Sequence, residues 1–187
     1  MQTGDSVQAV GLRAIRTGRL HLLPLAVEHA AEMAEVLSDP KLHTFIGGAP
    51  HTPPALRSRY ERLVAGSPEP SETWCNWVIQ LRDEGRLVGT VQATIATGRR
   101  AAAAEIAWVV GTPWQRRGIA TEATRGLIAC LQRHGVQAIF AHIHPDHRAS
   151  AAVAAAAGLA PTAHRQEEEV RWELPPTPLP AGSAAPA

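Results

Sequence analysis

Apolar and polar residues alternate along RLHLLPL, Arg19 to Leu25, and a period of two predicts a strand there. The next stretch changes period. Val27, Ala30, Ala31, Ala34 and Leu37 fall on one face of a helix, Glu28, Glu32 and Glu35 lie elsewhere, and SDP at Ser38 to Pro40 stops it. In HTPPALRSRYERLV, Thr52 is placed to cap and Pro53 to take the first helical position, with Leu56, Tyr60 and Leu63 lining one side. WCNWVIQL and RLVGTVQATIA flank RDEG, Arg82 to Gly85, which is the pattern of a hairpin. GRR, Gly98 to Arg100, turns the chain again, and AAEIAWVV supplies a third strand.

A helix is predicted from about Thr121 to Arg133, with Leu127, Cys130 and Leu131 inward and Gly135 ending it. VQAIFAHIH reads as a strand. DHRASAAVAAAAG reads as an alanine-rich helix capped by Asp146 and stopped by Gly158, and EEVRWEL as the last strand. The order gives a mixed α/β (α+β) domain with an antiparallel front half and a β–α–β–α–β back half. Residues 1–11 lack periodicity and are expected to be loose. The Pro- and Ala-rich stretch 175–187 is expected to be a disordered tail, leaving 12–174 as one domain.

Composition narrows the function. A chain of 187 residues, 45% hydrophobic and 19% charged, is globular, and with a net charge of +1 nothing argues for a nucleic-acid or membrane surface, so neither partner is expected. No apolar run reaches the length of a membrane span, and none follows the N-terminal basic residues as in a signal peptide. Cys75 and Cys130 lack metal-ligand spacing and fit reduced thiols in the cytoplasm.

Candidate chemistry concentrates in TPWQRRGIATEATRG, Thr112 to Gly126. A helix start leaves N–H groups unpaired and partly positive, Gly118 keeps side-chain bulk off the backbone, and Gln115, Arg116 and Arg117 add donors. That is a cradle for a pyrophosphate. The same residues could form a solvated turn, the commoner use of such a loop taken alone. GxxxxGK[ST] is absent, and the loop holds no GxGxxG. HIHPDH sets His142 and His144 on one strand face with His147 just beyond, a pattern metal sites use. No carboxylate but Asp146 is fixed beside them, so no metal is expected.

QRRGIA, Gln115 to Ala120, resembles the Q/R-x-x-G-x-G/A motif of the GNAT superfamily, the Gcn5-related N-acetyltransferases. TGRLHLLPL, EIAWVV, GIATEA and PDHRAS-AAVAAAAGL resemble its RimJ/RimL-type branch, in order and spacing from about Arg16 to Leu174. The resemblance implies the GNAT fold: a mixed, mostly antiparallel sheet flanked by helices, with a splayed pair of parallel strands. It further implies transfer of an acetyl group from acetyl-CoA to a primary amine, on a protein N-terminus or a small molecule, by direct attack.

On that resemblance, the backbone around Gln115, Arg116, Arg117, Gly118, Ile119, Ala120 and Thr121 holds the coenzyme's pyrophosphate. Trp108, Val109 and Val110 border its pantetheine arm, and an N–H near Val110 meets the thioester oxygen. His147 stands where the family has a coenzyme-binding asparagine, and Ser150 where it has a serine that resembles an acid for the leaving thiolate. Glu105 takes the place of a catalytic or water-holding carboxylate; His144 and Glu167 to Glu169 are further candidates for the base. Phe45, Ile46, Tyr60, Trp74 and Trp172 fall where relatives form substrate pockets. Tyr60 is the sole tyrosine, so a tyrosine acid in the back half is excluded. Leu159 replaces the family's phenylalanine, and Ala154 and Ala157 stand where larger residues are common. These departures keep a second reading open, a non-catalytic acyl-CoA sensor on the same fold. A homodimer is the default assembly.

Overall fold

The computed structural model describes residues 13–97 and 102–176. The Gly98–Arg100 turn, the 1–11 segment and nearly all of the 175–187 tail lie outside the described residues.

The strands are β1 Ile15–Arg16, β2 Leu20–Pro24, β3 Glu72–Leu81, β4 Leu87–Thr97, β5 Ala102–Val110, β6 Ala138–Ile143, β7 Ala160–Gln166 and β8 Glu169–Glu173. The helices are α1 Ala30–Val36, α2 His43–Ile46, α3 Pro53–Ala65, α4 Ile119–Arg133 and α5 Arg148–Ala156. One sheet in the order β1-β2-β3-β4-β5-β6-β8-β7 contains every strand. All its pairings are antiparallel except β5–β6.

The expected hairpin forms around Gly85, whose φ of +67° suits glycine. Thr52 caps α3 by accepting from the Ala55 amide. Leu127, Cys130 and Leu131 of α4 are buried against the sheet with Trp77, Ile79, Val91, Ile95 and Ile106. On the opposite face, α1 and α3 cover Val78 and Leu87 with Met33, Leu56 and Tyr60.

Three expectations need correcting. Val27–His29 is a 3-10 turn, and its tighter winding rotates the following helix. The face of α1 turned inward is therefore Ala30, Met33, Ala34 and Val36, with Ala31 exposed and Leu37 half-buried just past the helix end. α4 starts at Ile119, two residues before the expected Thr121, because the left-handed Gly118 sets the start. β7 was not anticipated: APTAHRQ is exposed at nearly every position, so no alternation marks it, and pairing with β8 alone defines it.

Candidate active site

β5 and β6 pair only at Ala103↔Ala138, Ala104↔Ile139 and Glu105↔Phe140. Beyond Glu105 both strands continue and no pairing joins them. This is the splayed parallel pair. The cleft that opens there has a volume of about 580 Å³. Trp108, Val109 and Val110 line it from β5, and Gln115, Arg116, Gly118, Ile119, Ala120 and Thr121 from the loop and first turn of α4. His147 and Ser150 line it from α5. Of the expected coenzyme residues only Arg117 is not on its wall; of the carboxylates expected as a base, Glu169 lines it and Glu105, Glu167 and Glu168 do not.

The loop is held from behind. Arg117 offers its carbonyl to Arg19 Nη1 at 3.0 Å. Arg19 Nε donates to Glu122 Oε2 at 2.7 Å, and the Arg19 amide and Thr17 hydroxyl donate to Glu122 Oε1 at 2.7 and 2.6 Å. Burial pushes the Glu122 carboxyl up, and these three donors with the Arg19 charge outweigh burial, leaving its pKa below the ordinary carboxylate value. With the loop so anchored, Arg116 takes φ +61° and Gly118 φ +75°. Gly118 caps α4 without a side chain, so the first-turn amides have no side-chain acceptor from the cap and face the cleft with Arg116. The expectation was that Gly118 keeps bulk off a ligand. A Cβ there would meet Arg19 Nη2 at 3.4 Å, so the positive φ is as strong a reason for glycine as space.

Val110 holds the other end. The Gly111 amide donates to the Val88 carbonyl at 2.8 Å, toward β4. Successive residues of a ladder turn their N–H and C=O groups to opposite edges, so those of Val110 point toward the splay. Its carbonyl is taken there by Gln115 Nε2 at 3.0 Å, which leaves its N–H at the cleft. Gly89 makes this register feasible. A Cβ on Gly89 would overlap the Val109 carbonyl oxygen and sit 3.0 Å from Val110 Cα.

Across the cleft, α5 begins one residue later than expected from Asp146. Its cap is His147, whose Nδ1 accepts from the Ser150 amide at 3.4 Å, while Asp146 is exposed. With Nδ1 accepting, the neutral ring carries its proton on Nε2. The ring stacks on Phe45 at 4.4 Å. Burial, then the neighbouring His144, lowers its pKa. Ser150 Oγ has no hydrogen-bond partner among the described residues.

Glu105 lies on the sheet face that carries Trp74 and Thr94, its cross-strand neighbours. Its Oε1 is 2.7 Å from Nδ1 of His142, a ring that does line the cleft and whose side chain is 7% exposed. A carboxylate only accepts, so Nδ1 donates, and in the neutral ring Nε2 then keeps a lone pair. The motif HIHPDH marks His142 only as a possible metal ligand; the signal for this pairing is Glu105 and His142 on two strands expected to be neighbours. His144 lies 3.8 Å from Glu168 and 4.0 Å from Asp146. Among the described residues no group of three such side chains could hold a metal.

A second cavity of about 590 Å³ opens between α3 and the β3–β5 face and shares Leu42, Ala107, Trp108 and Val109 with the cleft. Tyr60 lines it, Phe45 lines the cleft, and Trp74 and Trp172 line neither. The Ile46 side chain lies outside what is described.

The profile of the Acetyltransferase (GNAT) domain matches residues 19–160. No curated protein matches the sequence. Solved structures similar in fold include the ribosomal-protein-S5-alanine acetyltransferase from Vibrio fischeri, with TM-score 0.70 at 18% identity over 86% of this chain and 94% of that one. A GNAT-family acetyltransferase from Bacillus anthracis gives 0.69 at 17%, over 86% and 96%. The microcin C7 self-immunity acetyltransferase MccE, in complex with acetyl-CoA and AMP, gives 0.68 at 16%, over 84% and 92%.

Proposed function

Since the chain belongs to the GNAT acetyltransferase family, we propose that it transfers an acetyl group from acetyl-CoA to a primary amine, held in the second cavity, by direct attack. The observation that carries this reading is the splay itself, with Val110 N–H at one end and the α4 amides at the other. The diphosphate lies against the first-turn N–H groups of α4 and Arg116. Arg117 acts from behind, through Arg19. The thioester carbonyl accepts from Val110 N–H, which strengthens as the oxygen gains charge.

The amine enters from the face that carries Ala107 and Val109, and its nitrogen attacks the carbonyl carbon. His142 Nε2, oriented by Glu105, takes the amine's proton, so that Glu105 acts through the ring. The C–N bond forms, the C–S bond breaks, and the thiolate takes a proton from Ser150 or solvent to leave as free CoA. Proximity supplies much of the acceleration, and no covalent enzyme intermediate is needed. Cys75 and Cys130 are buried and take no part. That neither is disulfide-bonded supports a reducing compartment such as the cytoplasm. Among the described residues no helix is long and apolar enough to cross a membrane.

Gly118→Trp tests the coenzyme site. It places bulk and a strained φ at the start of α4, and calorimetry should find acetyl-CoA binding lost in a protein whose circular dichroism is retained. Unchanged affinity would remove the loop from the reading. Tight coenzyme binding with no thiol release from any amine would make the protein a sensor.

A further inference from the structure

The cavity on the amine side has an unbalanced chemistry. None of its lining residues is acidic, and Glu105, a carboxylate on the same sheet face, is held by His142. Arg59 lies on the cavity wall, and among the described residues its guanidinium has neither an ion pair nor a hydrogen bond. Its helix neighbour Arg57 is different, being paired with Glu61 at 3.5 Å.

Two buried polar atoms of lining residues, Tyr60 Oη and His43 Nε2, also lack partners among the described residues. Tyr60 is 3% exposed, and burial pushes its pKa up to about 12, so it remains a hydroxyl able to give and take a hydrogen bond. His43 Nδ1 lies 3.2 Å from the Gly47 carbonyl, which can only accept. In the neutral ring Nδ1 therefore carries the proton and Nε2 presents a lone pair. The cavity thus offers one cation with no counter-charge and two acceptors with no donor. Leaving the two acceptors buried and unmatched costs about 1–3 kcal/mol each, and Arg59 is exposed to solvent on the same wall, so the natural complement of the set is a ligand that meets all three.

We propose that the acceptor is a small amine bearing an anionic group, a carboxylate or a phosphate, with Arg59 taking the anion and His43 Nε2 and Tyr60 Oη receiving the amine's N–H groups. A polycationic amine finds no carboxylate here and meets Arg59 instead, which disfavours it by like-charge repulsion. A volume of about 590 Å³ suits a small-molecule ligand. This inference rests on the acetyl-transfer reading for its chemistry and adds to it the class of amine.

The test compares matched amines by thiol release from acetyl-CoA: L-alanine with L-alaninamide, O-phosphoethanolamine with ethanolamine, and spermidine. The anionic member of each pair should have the higher kcat/KM by about tenfold or more, with spermidine lowest. The amide's nitrogen is less basic and more of it is free at neutral pH, so the expected preference runs against intrinsic reactivity. Arg59→Gln should erase the preference by raising KM for the anionic members, with KM for acetyl-CoA unchanged.

Equal or better use of the neutral or polycationic amines would overturn the inference and leave acetyl transfer standing. So would a preference that survives Arg59→Gln. If no amine releases thiol, acetyl transfer fails instead. The same pairs titrated calorimetrically into the CoA-loaded protein then decide: anion-selective binding lost in Arg59→Gln supports the inference, and indiscriminate binding refutes it.

Discussion

Gly89→Ala isolates the role of the Val110 amide. Position 89 lies in the interior of β4, where a methyl group would ordinarily be harmless or stabilising. Here the added Cβ overlaps the Val109 carbonyl oxygen and lies 3.0 Å from Val110 Cα, both backbone atoms that cannot swing aside. The end of β5 must withdraw. Overpacking of this kind costs about 1–3 kcal/mol of stability, read as a lower urea midpoint. Withdrawal also moves the N–H aimed at the thioester, and a misplacement of about 1 Å costs on the order of 10²-fold in rate. That factor corresponds to about 2.7 kcal/mol of barrier, the lower end for losing one oxyanion donor.

Steady-state thiol release at saturating acetyl-CoA should therefore show kcat reduced about 10²-fold, while calorimetry gives a Kd within a few-fold of the parent, because the α4 amides are elsewhere. Ile95→Val, in the same strand and fully buried, serves as control. It should cost about 0.5–1.5 kcal/mol with kcat unchanged. A folded Gly89→Ala protein with parental kcat would refute the assignment of Val110 as the donor.

Other outcomes follow from the same geometry. Glu105→Gln should lower kcat by about 10²-fold or more with the acetyl-CoA Kd unchanged, and His142→Ala should lower it at least as far; full activity in either dismisses the pair as the proton acceptor. The Glu122 carboxyl has a folded pKa below its ordinary 4.5, so its stabilisation is present above pH 4.5 and is lost as pH falls through the lower folded value. Glu122→Gln should be less stable than the parent near pH 7, with the gap closing in acid and coenzyme affinity reduced; a gap independent of pH counts against the clamp. His147 is lowered from 6.5 by burial, so the fold favours its neutral ring and loses stability as pH drops below 6.5 toward the folded value. His147→Asn keeps a capping side chain and should flatten that part of the thermal-melting profile between pH 7 and 5, whereas an unaltered slope assigns it to other groups.

What could be read in advance divides along physical lines. α3, α4 and the β3–β4 hairpin were legible because their burial is periodic and their ends carry local signals such as Thr52, Pro53 and Gly85. β7 was not, since nearly all its residues are exposed and only a partner strand makes them extended. Residues of the cleft were legible where a local motif names them, as around Gly118 and His147. The clamp of Thr17, Arg19 and Glu122 was not, because its members are about a hundred positions apart and no period links them. Gly89 could have been suspected, for glycine inside a strand marks a close backbone approach. Tyr60 was placed at a pocket wall, but the lack of a partner for its hydroxyl depends on everything packed around it.

An interrupted ladder three pairs long has a thermodynamic side. Past Glu105, with the Val110 carbonyl taken by Gln115, the remaining amides and carbonyls of the two facing edges have no partner across the gap, a standing weakness at the centre of the sheet. Any amide-bearing chain laid between them finishes the seam from within, as a surrogate strand, and occupancy should then govern heat tolerance. At a hundred times Kd such a ligand adds about 2.7 kcal/mol. Cells rich in that ligand would hold a sturdier molecule than starved ones, and turnover of the protein would report on supply.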